Sequence, residues 1–189
     1  MDQQVKSKFL TTLSAVNRQG IDSLVQYLEK SDFFTAPAST KFHAAFEGGL
    51  AEHSWSVYRL FEEKVKTYKL DVPEESVIIC GLLHDICKTN VYKKGKKNVK
   101  EPTGWVEKEV WEYKDSFSYG HGEKSVYMIE RHIKLTDLEA MTIRWHMGFS
   151  EPKELWRTYD AAREQYPSVI ALYIADIESA FLAEIRSAV

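Results

Sequence analysis

Apolar residues recur every three to four positions along most of the chain, the period of a helix with one buried face. The spacing predicts a helix from Val5 to Asn17 and a second from Ile21 to Lys30, with Gly20 as the break. Residues 31–49 carry Pro37 and the Gly48-Gly49 pair and read as irregular. A long helix follows from Leu50 to Tyr68, with Leu50, Val57, Leu60, Phe61, Val65 and Tyr68 as its core stripe. "DVPEES" starts the next, Pro73 in its first turn and Asp71 as a cap, and that helix runs to about Thr89. The period then changes. Residues 90–117 read as a β-hairpin-like insert, with a turn at Gly95 and imperfect alternation of Trp105, Val106, Val110, Trp111 and Tyr113. Helices resume near His121 and at Thr136, where Thr136 and Glu139 form a capping-box pattern and Gly148 is the stop. "SVIALYIADIESAFLAEI" is the last long helix, apolar at Ile170, Tyr173, Ile174, Ile177 and Phe181. The fold class is mostly α, one domain over 1–189 with N-terminal helices in 1–35.

Within these helices some polar residues interrupt apolar faces. His53 is four residues before Val57 and faces inward with it. His84 and Asp85 stand side by side in "GLLHDICK", His146 in "IRWHMG", and Asp176 in "LYIADIESAF". His121 lies between two glycines. An unpaired buried polar group costs several kcal/mol, roughly 2–7. A single buried histidine is more often hydrogen-bonded than a ligand. A set spread over five helical segments is best explained by one shared partner, and a metal cluster satisfies them together. Imidazole and carboxylate donors suit Zn, Mn, Fe or Ni more than Ca.

The order His53, His84-Asp85, His121, His146, Asp176 resembles the H…HD…H…H…D signature of HD-domain metal-dependent phosphohydrolases. The resemblance runs from about Phe42 to Phe181, and the insert at 90–117 departs from the smallest such domains. It implies an HD-type helical bundle with a metal-binding core over about 42–181. It also implies two divalent ions, from among Mn, Fe, Ni, Zn and Mg. His53, His84, Asp85 and Asp176 would hold one; His121 and His146 would hold the other, with Asp85 bridging. The implied activity is hydrolysis of a nucleotide or other small phosphoester by a metal-activated hydroxide, with Asp85, His84 and Lys88 as the catalytic group. Two alternatives keep the scaffold: a di-iron oxygenase on the same ligands, and an inert nucleotide-binding module.

Lys88, one turn after His84, is a candidate for substrate phosphate, as is Lys124 near a helix start, where backbone N–H groups favour anions. Arg144 and His43 are weaker substrate candidates: Arg144 should point about 200° away from His146, and His43 lies in a loop before the first ligand helix. His132, three turns beyond His121, is about 16 Å away and no ligand. The run "KKGKKNVK" reads as a solvated hairpin tip or as an anion-steering flap with Trp105 or Trp111 to stack on a base.

Composition narrows the partners. The 189 residues are 44% hydrophobic and 28% charged, which is globular, and the net charge of −3 argues against a general grip on nucleic acid. No apolar run or signal core directs the chain to a membrane, so the expected setting is cytoplasmic, with a small phosphorylated substrate as the partner. Cys80 and Cys87, seven residues apart on one predicted helix, are expected to be buried reduced thiols rather than a disulfide or a metal pair.

Overall fold

The computed structural model describes residues 3–102 and 104–183. It is a helical assembly with a two-stranded antiparallel hairpin: α1 (Gln3–Ser14), α2 (Ile21–Lys30), α3 (Gly49–Tyr68), α4 (Glu74–Leu83), β1 (Tyr92–Glu101), β2 (Gly104–Tyr113), α5 (His121–Glu130), α6 (Asp137–Arg144), α7 (Trp156–Gln165) and α8 (Ser168–Glu178). α3 is the centre. It packs against α4 on one side and α8 on another, while α6 bridges α4, α5 and α8. Its buried positions Leu50, Val57, Phe61 and Val65 follow the apolar stripe of the sequence, with Leu60 half-buried beside them and Tyr68 exposed at the helix end. Phe9 of α1 meets Phe33 and Phe34 of the irregular segment, which pins residues 31–48 to the core.

α4 departs from expectation. It ends at Leu83 and not near Thr89; His84 is its cap, and a separate 3-10 turn covers Ile86–Lys88. Ser76 to Leu83 are all buried, so this helix is apolar all round and its sequence carries no periodic mark of where it stops. Pro73 caps its start, and the side chain of Asp71 makes no cap bond there. Close contact fixes its place: a Cβ on Gly81 would come within 2.6 Å of the Tyr58 Cα, so only glycine lets α4 lie this near α3.

The hairpin also differs in detail. Gly95 is not a turn; it sits within β1 opposite Val110, and the strands join between Glu101 and Gly104. One face carries Tyr92 opposite Tyr113, Lys94 opposite Trp111 and Lys100 opposite Trp105. Most of the ribbon is exposed, and it is tied to the body at its base through Tyr92 Oη donating to Ala38 O and Lys114 N donating to Val91 O.

α6 opens with the expected capping box: Thr136 Oγ1 accepts from Glu139 N, and Glu139 accepts from Thr136 N. Glu139 does more than cap. Its fully buried carboxylate also accepts from Ser76 Oγ at 2.8 Å and pairs with Arg18 at 2.6 Å, tying α6 to α4 and the α1–α2 connection. α6 stops at Arg144, four residues before Gly148, which has φ +53° and starts a 3-10 turn. In α8 the buried residues are Ser168, Val169, Ala171, Leu172 and Ala175, while Ile174, Ile177 and Phe181 are largely exposed. The chain continues as a π-helical turn over Ser179–Ala183; Glu184 and Ile185 of the expected last helix lie outside the described residues. Among the described residues, no single helix is long and apolar enough to cross a membrane.

Candidate metal centre

The structure gathers His53, His84, Asp85, His121, His146 and Asp176 into one cluster, buried at His53, His84, Asp85 and His146 and partly exposed at His121 and Asp176. His53 comes from the middle of α3 and Asp176 from α8, with His53 Nε2 3.1 Å from Asp176 Oδ1. His84 and Asp85 stand at the break after α4, so they do not share a helix as expected. Asp85 sits at φ −105°, ψ 16°, outside helical geometry, and leads into the 3-10 turn that brings Lys88 back over it. His121 is the first residue of α5, and His146 follows the end of α6. Those two elements meet because Gly122 lies against the Arg144 carbonyl, where a Cβ would be only 2.1 Å from the oxygen. The His121 and His146 rings consequently approach to 5.1 Å between centroids.

Asp85 divides the cluster. Its Oδ2 lies 3.5 Å from both His53 Nε2 and His84 Nε2. Its Oδ1 lies 2.8 Å from His121 Nε2 and 3.6 Å from His146 Nε2. One carboxylate thus offers an oxygen to each of two histidine pairs, and Asp176 completes the first. These edges can be compared with metal geometry. Ligand bonds of 2.0–2.2 Å put neighbouring donors about 2.8–3.6 Å apart across octahedral and tetrahedral sites. His53 Nε2 and His84 Nε2 are 3.4 Å apart. The His121–Asp85 contact of 2.8 Å stands at the short end of that range and the His146–Asp85 contact of 3.6 Å at the long end.

The tautomers point the same way. His84 Nδ1–H donates to Gly81 O at 2.9 Å, and His146 Nδ1–H donates to Ile143 O at 2.7 Å. With Nδ1 protonated, a neutral ring presents its Nε2 lone pair to the centre. His146 Nε2 is buried and makes no hydrogen bond. A convergence of lone pairs and carboxylates requires a cation, so the donor set fits a divalent metal. Among the described residues, three triads of potential ligands meet the spacing: His53, His84 and Asp176; His84, Asp85 and His146; and Asp85, Cys87 and His121.

Electrostatics agree. Burial opposes ionisation of Asp85, but the Lys88 ammonium and the His84, His121 and His146 rings hold its carboxyl well below the usual range. Asp176 is lowered too; burial raises it, and His53 outweighs that. Burial pulls the His121 imidazole down, while Cys87 and Asp85 raise it more strongly, to about 9. Lys88 is lowered by burial and raised more by Asp85, whose Oδ2 it meets at 2.7 Å, so it stays charged.

The substrate candidates separate. Lys88 and Lys124 both line a cavity of about 240 Å³ beside His121, with Cys87, Tyr113, Asp115 and Tyr119. Lys124 is buried and paired with Asp115 at 2.7 Å. The His43 ring lies 4.9 Å from that of His53, at the edge of the cluster. Arg144 points elsewhere: it pairs with Glu123 and Glu151, lies over Trp145, and lines an apolar groove with Val126 and Met141. His132 is far from the cluster, bonded to Ser23.

Two residues beside the cluster, Ser179 and Asp115, escaped the sequence reading, and a third, Cys87, was read there only as a buried thiol. Ser179 Oγ lies 3.5 Å from His53 Nδ1. Asp115 governs Lys124. The Cys87 sulfur lies 3.4 Å from His121 Nδ1. Only Cys87, two residues after Asp85, stood close enough to a ligand to attract notice. Both cysteines are free thiols and buried, as expected.

No curated protein and no solved structure matches the chain. The model of the HD domain family matches residues 50–180, a span that holds all six clustered His and Asp residues. That match covers well over half of the sequence, and with the mostly helical architecture it shows that the chain belongs to the HD domain family.

Proposed function

We propose that this protein is a metal-dependent phosphohydrolase acting on a nucleotide or another small phosphoester, with His53, His84, Asp85 and Asp176 holding one ion and Asp85, His121 and His146 a second. The observation that carries the reading is the placement of Asp85, one oxygen toward each histidine pair. Bound divalent ions supply Lewis-acid polarisation of a phosphoryl oxygen and a lowered pKa for water, commonly as a pair ~3.5–4 Å apart.

The chain's own residues do the rest. Asp85 orients the two halves of the centre, and the carbonyls of Gly81 and Ile143 fix the ring tautomers of His84 and His146. Lys88 neutralises Asp85 when no other cation does, and its ammonium is free to meet a phosphoryl oxygen once Asp85 is engaged. Lys124 offers a second ammonium, for which a substrate anion competes with Asp115. The cavity of about 240 Å³ is below the common range of about 300–1,000 Å³ for ligand pockets. It suits the phosphoryl group and adjoining atoms, leaving the remainder toward exposed Tyr113 and Tyr119.

A panel of nucleotides, cyclic nucleotides and a chromogenic phosphodiester, with Mn, Mg, Ni, Co and Zn, tests the reading. Metal-dependent hydrolysis of at least one of these phosphoesters that disappears in Asp85→Ala is expected. No turnover with any metal refutes it; binding without product in calorimetry marks a binding module, and bound iron with an O₂-dependent product marks an oxygenase.

A further inference from the structure

We propose that Tyr119 is the base-stacking platform of the site: the substrate is a nucleotide whose phosphoryl group enters the cation-lined cavity while its base lies on the Tyr119 ring. The inference rests on the phosphohydrolase reading above and names the substrate class within it. Tyr119 stands between two hollows. On one side is the cavity of about 240 Å³ that Lys88, His121 and Lys124 line. On the other is an apolar groove of about 380 Å³ between α5 and α6, lined by Val126, Tyr127, Ala140 and Met141. Tyr119 lines both.

The ring is braced and open at once. Tyr119 is 52% exposed and stacks on Phe117, with centroids 5.3 Å apart and planes 13° from parallel. Tyr127 supports both rings from the side, 5.4 Å from Tyr119 and 5.3 Å from Phe117. Phe117 therefore covers one face of Tyr119, and the exposed remainder is free for a ligand. The backbone below is tied to the cavity: Phe117 N donates to Asp115 Oδ1, the same oxygen that accepts from Lys124. One carboxylate thus holds both the stacked rings and an ammonium suited to phosphate.

Size divides the ligand. The cavity is smaller than the about 300–1,000 Å³ of common ligand pockets, so a phosphoryl group and sugar fill it and the rest is left at its mouth. A flat base needs only a π face there. An acyl chain gains nothing from parallel rings, and along the groove it would desolvate Glu130 and the Glu123–Arg144 ion pair. The hairpin tryptophans do not take this role. Trp105 is eight residues along β2 from Tyr113, which lines the cavity, and so about 27 Å away. Trp111 lies under the Lys94 ammonium, 5.5 Å from the ring centre, and lines a separate pocket with Ala45.

Non-cleavable probes test this apart from turnover. They are the 5′-phosphonate analogues of adenosine and uridine monophosphate, and that of ribose 5-phosphate, which lacks a base. Calorimetry on Mn²⁺-loaded full-length protein is expected to show the nucleoside probes bound about tenfold or more tighter than the ribose probe. That ratio should fall to about one in Tyr119→Ala. It should persist in Tyr119→Phe, in Tyr119→Trp and in Tyr68→Ala, a control at the exposed end of α3. Thermal melts check that each variant is folded. A wild-type ratio near one, a ratio unchanged in Tyr119→Ala, or no binding of any probe overturns the Tyr119 assignment, whatever the protein hydrolyses. A ratio that depends on Tyr119, with no hydrolysis of the parent nucleotides under any metal, upholds the assignment and removes the phosphohydrolase reading.

Discussion

Loading the centre with metal should raise the melting temperature of the protein, by an amount the structure allows one to estimate. His53, His84 and His146 are fully buried and Asp85 is 2% exposed, so the donors are already gathered in the folded chain and scattered in the unfolded one. A ligand that binds only the folded state stabilises it by RT ln(1 + [L]/Kd), about 2.7 kcal/mol at a hundredfold excess over Kd. For a chain of this length each kcal/mol moves the melting temperature by about 2–4 °C, so the shift should be about 5–11 °C. Asp85 contributes to both halves, and Asp85→Asn should remove most of it. Lys88→Met sharpens the test. Its ammonium, 15% exposed, is the cation that meets Asp85 Oδ2 in the metal-free chain. Removing one partner of a buried pair costs about 3–5 kcal/mol, and slight exposure puts this near the lower end. The metal-free variant should therefore melt well below wild type, and added metal should recover part of the difference by replacing the lost charge. Scanning calorimetry of chelator-treated protein, with and without Mn²⁺, Zn²⁺ or Fe²⁺, measures both. No shift with any ion, or an equal shift in Asp85→Asn, would refute the reasoning.

Other outcomes follow from packing and charge. Gly81→Ala should destabilise the fold by about 1–3 kcal/mol, because its Cβ meets the backbone of Tyr58; urea melts give the cost, and metal affinity should fall as α4 and α3 separate. Gly122→Ala, whose Cβ would strike the Arg144 carbonyl, should weaken metal binding at the His121 side more than at the His53 side in cobalt titrations. Burial raises the Glu139 carboxyl, but Arg18, Thr136 and Ser76 lower it further, so its folded pKa lies below the unfolded value of about 4.3. That contribution is full above the unfolded value and lost as pH falls toward the folded one; urea melts from pH 7 to 3 should show a shallower acid loss in Glu139→Gln. Trp105→Ala, at a side chain 71% exposed on the hairpin, should change stability by no more than about 0.5 kcal/mol.

Five of the six clustered residues were legible because they break an apolar pattern, and polar interruptions of a buried face are costly unless something answers them; His121, between two glycines in a polar stretch, was legible through the order of the whole set. The capping box at Thr136 was legible for a similar reason, as a local rule with a local geometry. What escaped depends on partners distant in sequence. α4 and α8 are apolar on most sides, so periodicity fixes neither where α4 ends nor which face of α8 turns inward. Packing against α3 decides both, and it leaves Ile174, Ile177 and Phe181 outside. Gly95 resembled a turn, but its lack of a side chain instead makes room for Glu112 across the ribbon. Glu139 read as a cap, and its bond to Arg18 rests on residues more than a hundred positions away. α7 went unassigned because its sequence, "WRTYDAAREQ", buries only Tyr159 and Ala162.

The donors of the centre are drawn from α3, the break after α4, the start of α5, the end of α6 and α8, so the first and last of them, His53 and Asp176, are separated by most of the chain. During synthesis a nascent polypeptide that has exposed His53, His84 and Asp85 holds only a partial set, open to whatever ion is near. The complete centre exists only after Asp176 has left the ribosome and α8 has docked on α3. On the proposed reading, selection of the ion would thereby be deferred to the finished fold, where geometry rather than order of encounter would decide which metal stays.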